Sequence, residues 1–262
     1  MKRIHLFEFT DQPWYPDLFR RMQTDYLQAV ATLGPGHEAL VPVFVRAMRH
    51  AGTKEIVDLC SGGTGPWLRL QEQFARAGWS VSITLTDKYP HPEAIRKGSE
   101  PARTGITYLP EPVDATAVPP HLTGMRTLFE GFHHFKPEQA RAILRDAVER
   151  RAAIGIVEAT LKPPLGTALL PVMPLLTFVS YLLLTPFITP RSWARFFWTY
   201  LVPLVPLATC WDGVISLLRV YSLRELQKLT DSLCCTDYIW EAGQASTGAP
   251  LFAFTYLIGY PA

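Results

Sequence analysis

Ile56-Val57-Asp58-Leu59-Cys60-Ser61-Gly62-Gly63-Thr64-Gly65-Pro66-Trp67 decides how this chain folds. An apolar strand runs into an acid, then into a bend with glycines at 62, 63 and 65, then into a segment of helical periodicity opened by Pro66. Glycine lets the backbone turn tightly and approach a ligand, and proline presets the first helical residue, whose N–H has no intrahelical partner anyway. Alone, such a bend could be a tight turn and nothing more. It gains meaning from a second apolar run, Val81 to Thr86, which ends in Asp87. In a strand, helix, strand unit that position carries the carboxylate that grips a ribose. The plainer reading of Asp87 is a helix cap or a turn residue.

Alternation continues on both sides of this unit. The apolar spacing predicts helices over 16–33 and 37–50, a strand over 54–60, a helix over 65–77, a strand over 81–87 and a short helix over 92–98. Strands over 106–109 and 125–131 follow, then a helix opened by Pro137 and a fifth strand over 154–157. Such alternation means a parallel sheet covered by helices. Ser222 and Glu225 form a capping box before a helix reaching 233. Two last strands, 238–242 and 251–260, close the chain as a hairpin, which is unusual for a dinucleotide-binding fold.

At 262 residues the chain is read as one elaborated domain, although about 150 residues per domain is the usual prior. Residues 1–52 form a helical cap, 53–160 and 222–262 the cofactor-binding core, and 161–221 an apolar insertion. Lys and Arg number 25 against 23 Asp and Glu, with no basic block, so no nucleic acid partner is expected. Glu8 and Asp11 interrupt any apolar run near the start, and the catalytic part is expected in the cytoplasm. The four cysteines, Cys60, Cys210, Cys234 and Cys235, lack metal-binding spacing and read as reduced thiols; no metal is expected.

Five alternating units, an acid after the second strand and a closing hairpin together resemble class I S-adenosylmethionine-dependent methyltransferases, over roughly residues 54–160 and 222–260. The resemblance implies a Rossmann-like α/β fold: a seven-stranded sheet, parallel apart from one antiparallel C-terminal strand, with helices on both faces. It also implies S-adenosylmethionine as cofactor. Asp58, Cys60, Ser61, Gly62, Gly63 and Gly65 would hold the methionine end and sugar, and Asp87, with Lys88 beside it, the ribose hydroxyls. Asp114 and Ala115 match the step at which the family meets the adenine, and Glu130 falls at the end of the fourth strand, facing the cofactor. Here Cys60 and Ser61 stand where the family has its first glycine, and Gly62 with Gly63 adds a residue.

Phe129-Glu130-Gly131-Phe132-His133-His134-Phe135 follows the fourth strand, whose carboxyl end faces the ligand in a parallel sheet. A hydroxyl acceptor must lose its proton, and imidazole is suited to taking it near neutral pH, so His133 and His134 are the candidate bases. A structural histidine bonding a carbonyl is the competing reading. The Asp/Asn-Pro-Pro-aromatic motif of enzymes that methylate exocyclic or amide nitrogens is missing, which argues against DNA adenine and protein glutamine as substrates.

Pro163 to Pro190 contains no charged residue, and after Arg191 and Arg195 a second apolar stretch runs from Phe196 to Trp211. Length permits a membrane span of about 20 residues. A single crossing would strand the last helix and strands opposite their sheet, so the tract reads as a buried lid or a shallow membrane contact, possible at the inner face of a membrane. Trp14, Tyr15, Phe132, Trp193 and Trp211 suit a hydrophobic or lipid-like acceptor, with Asp212 and Arg219 as orienting groups or a buried structural pair. The expected activity is methyl transfer to oxygen, carbon or sulfur of such an acceptor. A noncatalytic membrane-surface protein and a nicotinamide-dependent reductase stay open as alternatives.

Overall fold

The computed structural model describes residues 3–34, 36–90, 95, 105–161, 168–246 and 252–262. Seven strands form one sheet: β1 (Glu55–Leu59), β2 (Ser82–Leu85), β3 (Ile106–Tyr108), β4 (Met125–Phe129), β5 (Ile154–Leu161), β6 (Tyr238–Ser246) and β7 (Phe252–Pro261). Their order is β3-β2-β1-β4-β5-β7-β6, and β7 alone runs antiparallel to its neighbours. The chain reverses its direction of travel across the sheet between β1 and β4, and ligands lie beyond the strand ends at such a switch.

Both faces of the parallel strands are covered, which is why they read as continuous apolar runs. Phe44, Met48, Leu70, Phe74, Ile83 and Met125 fill one face, with α2 (Val41–His50) and α3 (Trp67–Arg76) laid over it. Val57, Leu128, Ile143, Leu144, Ile156 and Leu226 fill the other, under α4 (Pro137–Glu149) and a later helix that spans Leu223–Asp231. Every residue of β4 is buried, including Arg126, whose guanidinium is paired with Asp146 of α4.

The strand and helix assignments hold, with shifts at the ends. β5 continues to Leu161 because β7 pairs with it as far as Leu161 opposite Phe252, and β6 likewise reaches Ser246. Of the short helix expected over 92–98, Ile95 is helical and the rest lies outside the described residues, as does the turn of the closing hairpin.

The insertion contains α5 (Met173–Leu184), α6 (Trp193–Phe196), which runs on into a π-turn (Phe197–Leu201), and α7 (Leu204–Arg219); Leu223–Asp231 is then α8. Met22 and Tyr26 of α1 (Asp17–Leu33) pack with Tyr181, Ile188 and Val205 in a third core beside the sheet. Leu170–Phe187 is long and apolar enough to cross a membrane, yet only 11% of it is buried. A buried lid is therefore not what the tract forms. One side of the tract packs on α1 and α7, while Leu175, Leu183, Phe187, Trp193 and Leu201 face outward.

Candidate active site

The glycine bend lies over the end of β1. Asp58, 1% exposed, sits behind it and accepts hydrogen bonds from Ser61 Oγ (2.6 Å) and Thr127 Oγ1 (2.6 Å). Burial outweighs these two bonds and pushes its carboxyl up to about 7. Cys60, Gly62 and Gly65 all have positive φ, at 59°, 56° and 53°, so the bend exposes backbone rather than side chains. Asp87 ties the bend to β2: its Oδ2 accepts the Gly62 N–H at 2.7 Å and its Oδ1 the Tyr89 N–H at 2.7 Å. Tyr108 donates to the Gly62 carbonyl (2.8 Å) from β3. From α1, Gln28 accepts the Thr64 N–H (2.8 Å) and donates to the Gly65 carbonyl (3.0 Å). Further along, Asp114 is bound by Thr116 and paired with Lys88 at 3.1 Å.

A cavity of about 1210 Å³ opens over these strand ends. Of the expected cofactor residues, Cys60, Ser61, Gly62, Gly63, Gly65, Asp87, Lys88, Asp114, Ala115 and Glu130 line it, and Asp58 stands behind. Glu130 has positive φ (52°) and both its oxygens accept the Ala159 N–H, at 2.8 and 3.0 Å. Glu130 is exposed on the cavity, yet desolvation by the surrounding protein and repulsion from Glu158 push its carboxyl up to about 8.

The two histidines part company. His133 is buried away from the cavity lining; its Nδ1 meets Glu158 Oε2 at 2.7 Å and its N–H meets Oε1 at 2.9 Å. Burial lowers His133 to about 3 and raises Glu158 to about 7, so at neutral pH and above the ring is neutral and donates to a carboxylate. His134 lines the cavity with Nδ1 2.7 Å from Asp11 and 3.5 Å from Glu8. Burial opposes its charge, but the Asp11 hydrogen bond and Glu8 prevail and raise it to about 9. In this state it is a proton donor.

The expected acceptor residues are scattered. Arg219 lines the cavity, bridging Glu8 (3.0 Å) and Asp11 (2.6 Å). Asp212 lies outside the lining and caps the N-terminal segment, accepting from Phe9 N–H (2.7 Å), Thr10 N–H (3.2 Å) and Gln23 (3.1 Å). Phe132 belongs to the core under α4, and Tyr15 is buried against Phe9 and Phe19. Trp14 and Trp193 face outward, and Trp211 donates to the Phe7 carbonyl (2.9 Å) on the outer surface. The cavity's apolar rim is made instead by Leu6, Phe7, Leu27 and Val30, each both lining and exposed.

Glu8, Asp11, Gln28 and Glu158 escaped the sequence reading. For Glu158 a signal existed, an acid within a buried strand run, since an acid is fully buried only with partners. The others become neighbours of the site only because the N-terminal segment crosses the strand ends, where Ile4 N–H bonds the Leu218 carbonyl and Arg3 bonds the carbonyls of His133 and Phe135.

No family model matches the sequence, and no curated protein is similar to it. Solved structures are similar. Mitomycin 7-O-methyltransferase superposes at TM-score 0.52 and 14% identity, over 98% of this chain and 61% of that one. Phosphoethanolamine N-methyltransferase 2 of Haemonchus contortus, in complex with phosphomonomethylethanolamine and S-adenosylhomocysteine, superposes at 0.51 and 10%, over 97% and 59%. The chain spans about three fifths of the length of each. The fold is that of class I S-adenosylmethionine-dependent methyltransferases.

Proposed function

We propose that this chain binds S-adenosylmethionine and transfers its methyl group to an apolar, lipid-like acceptor. One observation carries the reading: Gly62, Asp87 and Asp114 stand in a row over the ends of β1, β2 and β3 and face one cavity. The residues fit the cofactor. A Cβ on Gly63 would come within 2.8 Å of Gln28 Oε1, so the clamped bend accepts no larger residue there without moving. Each Asp87 oxygen accepts one backbone N–H, which fixes the carboxylate at the cavity wall where ribose hydroxyls would lie. Asp114, held below the usual carboxylate range despite its partial burial by Thr116 and Lys88, is charged where the adenine amino group would lie.

When bound, the cofactor supplies an electrophilic methyl group on a sulfonium. Glu130 faces the cavity and, with its carboxyl raised to about 8, can take a proton from an acceptor hydroxyl at mildly alkaline pH.

The acceptor's character follows from the rim. Phe7 packs on Trp211 (5.4 Å), and Leu204, Leu207 and Trp211 form one outward stripe of α7, so the cavity mouth continues into the exposed apolar surface of the insertion. Among residues 168–211 the charges are Arg191 and Arg195, the latter buried against Asp25. A surface of this kind with outward tryptophans suits the membrane interface, from which a lipid-like acceptor would enter. Calorimetric titration with S-adenosylhomocysteine tests the cofactor half: binding that is lost in Asp87→Ala supports it, and no heat in the wild type overturns it. Flotation with liposomes tests the acceptor half, which a fully soluble, non-floating chain would contradict.

A further inference from the structure

We infer that Glu8, His133 and His134 form a binding site for one divalent transition-metal ion at the cavity wall. One ligand atom from each, a Glu8 carboxylate oxygen and one ring nitrogen of each histidine, lies within 4.8 Å of the other two. His133 Nε2 is 3.9 Å from Glu8 Oε1, and His134 Nδ1 is 3.5 Å from Glu8 Oε2. A metal holding imidazole nitrogen and carboxylate oxygen at about 2.0–2.2 Å needs ligand separations of about 3.3–4.2 Å, from tetrahedral to in-line. Both separations fall in that range, one to each oxygen of Glu8, so the carboxylate would meet the ion through both oxygens, with Oε1 shared with Arg219.

His133 supplies a second, independent observation. Its Nδ1 is committed to Glu158, which places the proton there and leaves the Nε2 lone pair pointing the other way. That lone pair is buried without a hydrogen-bond partner, a standing cost in a packed interior. An acceptor molecule does not reach it, because His133 is absent from the cavity lining; a small ion seated between Glu8 and His134 does. A carboxylate behind a ligating histidine is also how metal sites fix the ring's tautomer and direction.

Arg219 is the obvious competitor, since its guanidinium already contacts this cluster. Its contacts, however, go to Glu8 Oε1 and Asp11 Oδ2, whereas Glu8 Oε2 and Asp11 Oδ1 turn toward His134. Three carboxylates, Glu8, Asp11 and Glu158, converge here. Arg219 and Arg3 offset part of this negative charge, and a dication would offset more of it. Asp11 Oδ1, 2.7 Å from His134 Nδ1, lies too close to that nitrogen for both to ligate one ion, and is placed as the group that receives a metal-bound water. Two imidazoles with carboxylate and no thiolate favour Zn²⁺, Fe²⁺ or Co²⁺ over the hard alkaline-earth ions.

The site is independent of the methyl-transfer reading, and its test needs no substrate. The full-length chain, stripped by a chelator and desalted, is titrated with Zn²⁺ and with Co²⁺, and retained metal is counted by elemental analysis. The inference expects one equivalent retained, visible ligand-field absorption from Co²⁺, and a Zn²⁺-dependent rise in melting temperature. His133→Ala, His134→Ala and Glu8→Gln should each abolish retention. Glu158→Gln, which alters only the tether of His133, should weaken the metal about 10- to 100-fold. Failure of the stripped wild type to retain either ion overturns the inference without recourse to variants and leaves a buried water as occupant. One equivalent that persists in both histidine variants overturns it as well, because the ion would then sit elsewhere, such as at the adjacent Cys234 and Cys235.

Discussion

Replacing Gln28 by Ala should weaken cofactor binding although Gln28 is expected to touch the bend rather than the cofactor. Its side chain reaches from α1 and makes both halves of an amide clamp, accepting from Thr64 N–H at 2.8 Å and donating to the Gly65 carbonyl at 3.0 Å. Each neutral, part-buried hydrogen bond contributes about 0.5–1.5 kcal/mol, so the clamp amounts to about 1–3 kcal/mol. If the bend must hold this shape to bind, that loss appears as a rise in Kd of about 5- to 150-fold for S-adenosylhomocysteine. Calorimetry on wild type, Gln28→Ala and Gln28→Glu measures it. The glutamate still accepts from Thr64 but sets an oxygen against the Gly65 carbonyl, so it should do no better than alanine. Wild-type affinity in both variants would refute the reasoning, and a lowered melting temperature with unchanged affinity would reduce Gln28 to a tether for α1.

Asp58 gives a pH dependence. Its folded pKa of about 7 lies above the ordinary aspartate value of 3.8, so its contribution to stability is full below about pH 4 and is lost as the pH rises through about 7. Shifts of this size correspond to on the order of 4 kcal/mol, so Asp58→Asn should flatten the fall of the urea midpoint between pH 4 and pH 8; an unchanged slope would contradict the assignment. Gly62→Ala forces a side chain into φ 56°, with roughly 1–2 kcal/mol of destabilisation expected by chemical denaturation, and no loss would mean the bend relaxes. Phe187 and Trp193 are 76% and 90% exposed, so Phe187→Asp and Trp193→Asp should leave the free energy of unfolding within about 0.5 kcal/mol of wild type while abolishing liposome flotation. Persistent flotation would move the membrane contact elsewhere.

The fold was legible because its signals are local. Strands buried on both faces write themselves as apolar runs, and the bend from Asp58 to Pro66 names its own neighbour, so Asp87 could be placed from order, whereas Asp114 needed the family resemblance. Histidine roles were not legible, because His133 and His134 are adjacent in sequence while their environments differ through partners more than a hundred residues away in the N-terminal segment. Nor does sequence distinguish an apolar helix that faces inward from one that faces out. Leu170–Phe187 and the buried strands share a composition, and the difference lies in what packs against them.

A crystal structure of the chain soaked with S-adenosylhomocysteine tests the central claim most directly. The account predicts ligand density over the glycine bend, with both ribose hydroxyls on Asp87, the adenine beside Asp114 and the sulfur turned toward Glu130. Density anywhere else, or an empty cavity at saturating ligand, would contradict it.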